Sequence, residues 1–341
     1  MALSALPQPD VLIAGAGIIG LSLALELHAR GAQVLVLERD TAFSHASSAA
    51  AGMLANLDPH NPPALSALAH LSISLYPAFL QRIETLSGIP VPYQTDTTIQ
   101  HLSNTETVRL DERSLDPRQL GHALRTAIQA TNIDLREHTS LAPGQAATAK
   151  QIVYATGAWP QLRTQVFPRK GQMLRVRIPA GIALREVHRR EDVYLVPRTL
   201  GAQAGTVLIG ATVEDSGYDT ETHAVDLARL RRLAAELVPR LDSETEAPQI
   251  EAWAGIRPAT ADSLPLLGER GPTPGPLATP REFVATGHFR NGILLAPATA
   301  VVMADLLENK QASIDLEPFS PERFNLERKP RTNGPIFGHG S

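Results

Sequence analysis

A glycine-rich turn between two apolar runs constrains this chain more than any other feature. Val11-Leu12-Ile13-Ala14 leads at once into Gly15-Ala16-Gly17-Ile18-Ile19-Gly20, and Val34-Leu35-Val36-Leu37 ends on Glu38. Short, wholly apolar runs of this kind suit strands buried on both faces. Leu21 to Arg30 predicts a helix between them, closed by Gly31. Strand, GxGxxG turn, helix, second strand and an acid 18 residues beyond Gly20 form the context that a bound dinucleotide requires. Gly15 permits the tight turn, Gly17 a close approach of backbone to pyrophosphate, and Gly20 the packing of helix on strand. Ile18 and Ile19, within the turn, are further candidate cofactor contacts, and the free N–H groups and positive dipole end of the helix that follows face the phosphates. Glu38 would accept from ribose hydroxyls, which favours FAD or NAD over NADP.

The rest of the composition narrows the class. A chain of 341 residues allows one large or two modest domains, and 43% hydrophobic residues supply a substantial core. No apolar run reaches 18 residues without a charge, and Val11 to Leu27 comes closest to a membrane span while holding Glu26 and lacking a basic flank. No membrane partner is expected. The net charge of −4 comes without a dense basic cluster, so no nucleic-acid partner is expected either. There is no cysteine, which excludes disulfides, thiolate metal sites and cysteine nucleophiles. The 11 histidines are scattered without an HExxH pair, so no metal is expected. A cytoplasmic enzyme is the default expectation.

Two stretches favour FAD over NAD. "HASSAAAGML", residues 45–54, is a run of small residues, and Ser47, Ser48, Ala50, Ala51, Gly52 and Met53 could approach a bulky phosphate-bearing ligand. "IVYATGAW", residues 152–159, reads as a buried strand ending in small residues, with Ala155, Thr156, Gly157 and Trp159 at the sheet edge where open parallel sheets bind ligands. Together these stretches resemble the FAD-binding domain of the D-amino-acid oxidase and sarcosine oxidase superfamily. In that fold the apolar helix after Gly287-His288-Phe289-Arg290-Asn291-Gly292 would turn its N-terminus to the reduced flavin, where negative charge gathers. Gly287 and Gly292 would allow close backbone approach, and Arg290 would add a cation near the ring or the substrate.

The likeness runs along most of the chain. "GAGIIG", "SSAAAGML", "LDPRQL", "VYATGAW", "KGQML", "YLVPR", "IGATVED", "AGIRPATADSLPLLG" and "GHFRNGILLAPATA" occur in the order seen in glycine oxidases of the thiamine-biosynthesis type, which this chain resembles. The resemblance implies non-covalent FAD and oxidation of glycine, sarcosine, D-alanine, D-proline and other small amines to imines, with oxygen reoxidising the flavin to give hydrogen peroxide. It also implies supply of glycine imine for the thiazole of thiamine. Arg257 and Tyr194 match the residues that bind the substrate carboxylate, and a guanidinium fork suits a carboxylate bidentately. Arg290 matches the arginine whose backbone carbonyl lies near the substrate amine. Gly52, Asp192 and Val213 complete the implied substrate pocket. Asp192 stands where the best-known bacterial relatives carry histidine, and Val213 where they carry methionine. Asp192 could attract the ammonium, or be a solvated strand-edge acid. Arg39, Leu141, Gly171, Gln172, Gly255, His288, Asn291, Gly292, Ile293 and Leu294 join the implied cofactor contacts. No catalytic base is certain, because the reaction is hydride transfer to the flavin.

The expected fold class is α/β: a Rossmann-like FAD-binding domain of the glutathione-reductase type, plus a discontinuous α+β substrate domain with a mainly antiparallel sheet. The FAD domain is expected over 1–86, 114–171 and 255–325, and the substrate domain over 87–113 and 172–254. Residues 326–341 read as a flexible tail, and the proline-rich stretch 269–280 as a surface insertion. Asp116-Pro117 caps a helix expected over 117–130, and Ala224 to Leu237 is an amphipathic helix. Strands of the second sheet are expected near 172–178, 193–197, 206–211 and 249–256. A homo-oligomer, dimer or tetramer, is expected. The segments 98–115 and 141–151 are shorter than the family's norm. Rival readings are another flavin amine oxidase of the superfamily, a dehydrogenase with a dye or quinone acceptor, and a flavoprotein module without turnover.

Overall fold

The glycine turn sits at the centre of a six-stranded sheet. A computed structural model describes residues 8–103, 105–141, 149–159, 165–271 and 280–324. The expected tail 326–341 and residues 272–279 of the expected insertion lie outside the described residues, while Glu269, the first residue of that stretch, ends a strand. Strand β1 (Val11–Ala14) leads through the turn into helix α1 (Ile18–Ala29), which returns to β2 (Val34–Leu37). Helix α1 starts three residues earlier than the apolar pattern suggested, because the helix begins inside the GxGxxG motif. Gly31 leaves it at φ +89°, as a C-terminal glycine should.

The remaining elements divide between two large sheets. A one-turn helix α2 (Ala46–Ala49) and the long α3 (Ser66–Ser87) precede the short strands β3 (Tyr93–Thr95), β4 (Thr98–His101), β5 (Thr107–Leu110) and β6 (Ser114–Leu115). Helix α4 (Pro117–Gln129) starts where Asp116 accepts from the Arg118 N–H, and β7 (Asp134–Arg136) and β8 (Gln151–Tyr154) follow. Then come β9 (Phe167–Arg177), β10 (Val187–Arg189), β11 (Tyr194–Arg198), β12 (Thr206–Gly210), α5 (Ala224–Leu237) and β13 (Gln249–Ala259). Strands β14 (Leu266–Glu269) and β15 (Arg281–Thr286) lead to α6 (Gly292–Leu307).

The first sheet has the order β14-β15-β8-β1-β2-β7 and is parallel except for the β14 edge. The second has the order β13-β9-β12-β11-β10-β4-β5 and is antiparallel except where β10 meets β4. This is the α/β two-sheet fold that the sequence implied. Strands β9 and β13 are longer than expected and pair over ten positions, so they run unbroken through residues 171–172 and 254–255. Strands β4, β5 and β10 were not foreseen. They are short, with mixed polar composition, and owe their conformation to pairing rather than to local pattern.

Alternation along the second sheet decides what faces what. Leu174, Val176, Leu195, Val207 and Ile209 pack under α5 with Leu230 and Ala234. Met173, Val196 and Leu208 face the other way, against Ala51, Met53 and Tyr194. Cβ direction reverses at each residue of a strand, so Gly171, Met173, Trp253, Gly255 and Arg257 share one face and Lys170 and Gln172 turn to the other.

Helix α6 carries Pro297, which removes the N–H that would bond the Ile293 carbonyl. Helix α3 supplies the missing partner: Tyr76 Oη donates to the Ile293 carbonyl at 2.5 Å. Ser72 Oγ donates to the Leu294 carbonyl at 2.6 Å and accepts from the Ala298 N–H at 3.3 Å. The apolar stripe of α6 is buried as expected, in the core shared with α1 and α3. Among the described residues, Pro63–Ser87 is the one helix long and apolar enough to cross a membrane by length and composition, rather than Val11 to Leu27. Its Leu68, Tyr76 and Ile83 are buried in that core.

Candidate active site

Two adjoining cavities meet at Gly17 and Ser47. At their junction the cradle is built by close approach. A Cβ at Gly20 would lie 1.9 Å from the Gly15 carbonyl oxygen, so helix and turn touch there only because residue 20 is glycine. Gly20 is therefore behind the cradle, whereas Gly15, Gly17, Ile18 and Ile19 form its wall. Ser47 Oγ accepts from the Ile18 N–H at 3.0 Å. That bond ties the small-residue loop to the start of α1, in a region rich in free N–H groups.

One cavity ends at Glu38. Glu38 is buried, and its Oε2 accepts from the Ala16 N–H at 2.7 Å while Oε1 accepts from the Asp40 N–H at 3.0 Å. Arg39 stacks over Trp159 at 4.2 Å, and these line the cavity with Leu141, Ala155, Thr156 and Gly157. Tyr218 stacks on the other side of this corner, 5.5 Å from Trp159, and donates to the Ala158 carbonyl. Among the described residues, Glu38, Asp40 and His45 form the one cluster with spacing for a metal. Their oxygens and nitrogen are already engaged: Glu38 by backbone amides, Asp40 by His45 and Arg39.

The other cavity lies between the small-residue loop, the second sheet and the N-terminus of α6. Ala50, Ala51, Gly52, Met53, Gly171 and Gly255 form its walls, with His288, Arg290, Asn291, Gly292 and Ile293 at the helix end. The first turn of α6 points into it, as the resemblance implied. Gly287 is not at this wall; a Cβ there would meet Thr260 Cγ2 at 2.7 Å, so its glycine serves the turn. His288 is buried, and burial pulls its pKa down to about 3, with Nε2 3.1 Å from Thr299 Oγ1. It is a neutral ring at ordinary pH.

Arg257 and Tyr194 meet on the cavity face of the second sheet. The Arg257 guanidinium lies across Gly171, where a Cβ would sit 2.2 Å from Nη1. Its Nη1 donates to the Thr212 carbonyl at 3.0 Å and the Lys170 carbonyl at 3.3 Å. Burial lowers its pKa; Tyr194 opposes the shift and Arg290 adds to it. Burial raises the pKa of Tyr194, offset in part by Arg257. Tyr194 Oη also lies 3.6 Å from Met173 Sδ.

Four arginines line this cavity, and acids hold three of them. Arg190 is 2.6 Å from Asp192 and 2.8 Å from Glu236. Arg189 is 2.9 Å from Glu112, and Arg290 pairs with Asp58. Arg257 alone has no ion-pair partner among the described residues; its bonds go to carbonyls. Among the described residues the cavity thus presents one arginine without an acid partner, a group whose chemistry suits a carboxylate.

Some expected contacts lie elsewhere, whereas Asp192 and Val213 do line the cavity. Gln172 is fully buried on the far face of β9, where it bonds Glu214, Asp226 and the His223 N–H. Strand alternation makes Gly171 and Gln172 face opposite ways. Ser48 Oγ closes its own turn on the His45 carbonyl, and Leu294 is buried in the core with its carbonyl bonded to Ser72. Asp192 is held by Arg190, which fits the strand-edge acid, and Val213 is exposed at the rim. The Arg290 side chain is turned to Asp58, so its charge is matched. Asp58, Arg189 and Glu112 escaped the sequence reading, since an isolated acid in a polar loop carries no local signal of a partner more than 200 residues away, as Arg290 is.

Comparison with known proteins agrees with this geometry. A family described as FAD dependent oxidoreductase, DAO, matches residues 10–114 and 108–306. A glycine oxidase of Geobacillus kaustophilus is 30% identical over 377 residues, covering 92% of this chain and 97% of the relative. The crystal structure of glycine oxidase from Geobacillus kaustophilus superposes with a TM-score of 0.82 at 29% identity, covering 92% of this chain and 98% of that one. A bifunctional protein ThiO/ThiG of Trichormus variabilis is 31% identical over 97% of this chain, which spans only 57% of that relative's length. The residues present fit FAD: a phosphate cradle that a Cβ would fill, a carboxylate oriented by two amides at one end, and a helix N-terminus at the other.

Proposed function

The chain belongs to the DAO family of FAD-dependent oxidoreductases, and from that premise we propose that it oxidises glycine and other small amino acids, using oxygen. The products are the imine, which hydrolyses to the 2-oxo acid and ammonia or amine, and hydrogen peroxide. Sarcosine, D-alanine and D-proline fall within the same reading, and glycine imine would feed thiazole synthesis for thiamine. In this reading FAD is held without a covalent bond: the chain has no cysteine for a thioether link, and His45, the histidine near the small-residue loop, is engaged by Asp40. The chain works in the cytoplasm as a homo-oligomer, with a cofactor unit and a substrate unit divided at the residues given above.

The carrying observation is that, among the described residues, Arg257 is the one cavity arginine without an acid partner. FAD, when bound, supplies the two-electron acceptor and its return by oxygen. The chain supplies placement. Arg257 and Tyr194 hold the substrate carboxylate, which fixes the direction of Cα and the amine. The amine must be neutral for its lone pair to assist loss of hydride. The lining acids Asp58 and Asp192 are each paired with an arginine, and Glu191 is exposed to solvent, so no buried carboxylate among the described residues is free to hold an ammonium in its charged form. The apolar wall of Ala51, Met53 and Met173 excludes water from the reacting carbon.

The purified protein should release peroxide with glycine, sarcosine, D-alanine or D-proline. Arg257→Ala should keep FAD but lower kcat/KM for glycine by on the order of 10²–10⁴, the scale of a lost buried charge pair. An amine without a carboxylate should lose far less. Equal losses for both would make Arg257 structural and remove the basis of this reading.

A further inference from the structure

The wall opposite Arg257 carries a carboxylate that the reaction does not need. Asp58 has a side chain 2% exposed, in a loop that its own neighbours hold rigid. Its Oδ1 accepts from the His60 N–H at 2.9 Å and lies 3.0 Å from His60 Nδ1. Asn61 Nδ2 donates to the Ala55 carbonyl at 2.8 Å. Oδ2 faces the cavity arginines: it is paired with Arg290 and lies 3.8 Å from Arg189 Nε. Arg189 has its own partner in Glu112, so two arginines and two acids balance along this wall. Burial would raise the pKa of Asp58, but Arg189, then Arg290, then His60 outweigh it and hold it below the ordinary value. The carboxylate is therefore charged at neutral pH.

We propose that Asp58 is a specificity-determining residue that limits this site to amino acids with one carboxylate. The inference rests on the amino-acid-oxidising reading given above. A substrate with a second carboxylate would place it against a wall whose cations are already matched. It would also meet the negative charge of Asp58, whose own side chain is buried. Rejection by a like charge needs no contact with the preferred substrate, so glycine and D-alanine do not feel it. Removing the Asp58 charge frees Arg290 to receive a second carboxylate. The gain then comes from the same arginine that Asp58 now holds.

The test uses the FAD-loaded protein and two matched pairs of probes. Acetate and malonate are titrated against the flavin absorbance, and D-alanine and D-aspartate are compared by peroxide release. The wild type should favour acetate and D-alanine. Asp58→Asn should shift both ratios towards the dicarboxylate by on the order of tenfold or more, the scale of a close charge pair. Adding Arg290→Gln to Asp58→Asn should cancel the shift. Unchanged ratios in Asp58→Asn would overturn the proposal. Should that variant not fold, Arg290→Gln alone still decides: it should disfavour malonate further, and a shift towards malonate would overturn the idea. If the wild type turns over no amino acid, the proposed activity fails, and the acetate-to-malonate ratios still decide the role of Asp58.

Discussion

Arg257 lies across the backbone of Gly171, close enough that a Cβ at residue 171 would sit 2.2 Å from its Nη1. The two residues come from neighbouring antiparallel strands, with Gly171 paired to Gly255 and Arg257 to Arg169. The guanidinium occupies the space that a side chain would take. Its position is therefore set by an absent side chain as much as by its bonds to carbonyls.

Gly171→Ala should then behave like a weakened Arg257 variant without loss of charge. The guanidinium must move, and a displacement of about 1 Å at a positioning group can cost on the order of 10²-fold in rate. We expect kcat/KM for glycine to fall on that scale with FAD retained. Wild-type kinetics in Gly171→Ala would show that the arginine's position is not critical.

Glu38 should matter to the cofactor and not to the substrate. Its carboxylate is aimed by the Ala16 and Asp40 amides at the end of the cavity that Trp159 lines. Glu38→Ala should weaken FAD by about 1.5–3 kcal/mol, the range for hydrogen bonds to a charged group. Dialysis followed by measurement of the holo fraction tests this. A holo fraction equal to the wild type would remove Glu38 from the cofactor site.

Tyr76→Phe should destabilise the fold. The lost hydroxyl leaves the Ile293 carbonyl with neither its helical partner, removed by Pro297, nor a substitute. An orphaned buried carbonyl costs about 1–3 kcal/mol, which a urea midpoint resolves. Because Ile293 also lines the cavity, FAD affinity should fall in the same variant. A midpoint shift below the error of the measurement would show that water or relaxation replaces the bond.

His288 should make stability fall in acid. Its folded pKa is about 3 against an ordinary value of 6.5, so the unfolded chain binds this proton first. The contribution is complete above pH 6.5 and declines as pH falls towards 3, with a slope of up to about 1.4 kcal/mol per pH unit. Between pH 6.5 and 4.5, above most carboxylate titrations, the urea midpoint of His288→Gln should depend on pH less than that of the wild type. Parallel profiles would place the acid sensitivity elsewhere.

The phosphate cradle was legible in the chain because its determinants are local. Gly15, Gly17 and Gly20 follow a strand and open a helix within a few residues, and no distant partner is needed to create that turn. Helices α4 and α5 were legible for the same reason, from the Asp116 cap and from the spacing of leucines. Arg257 and Tyr194 were found through motif order, although nothing local says that they meet. Long-range pairing decided the rest. Register between β9 and β13 brought Arg257 over Gly171, and alternation turned Gln172 away from the cavity its neighbour lines. Strands β4 and β10 exist because partners complete their hydrogen bonds. Asp58 met Arg290 and Arg189 only when the chain closed on itself, and that closure left Arg257 as the one cavity arginine without an acid partner among the described residues. Residue type and short spacing determine which turns and helices form, since backbone geometry and hydrogen bonds there are local. Which charges are matched and which remain free depends on distances across the fold, which only tertiary structure sets.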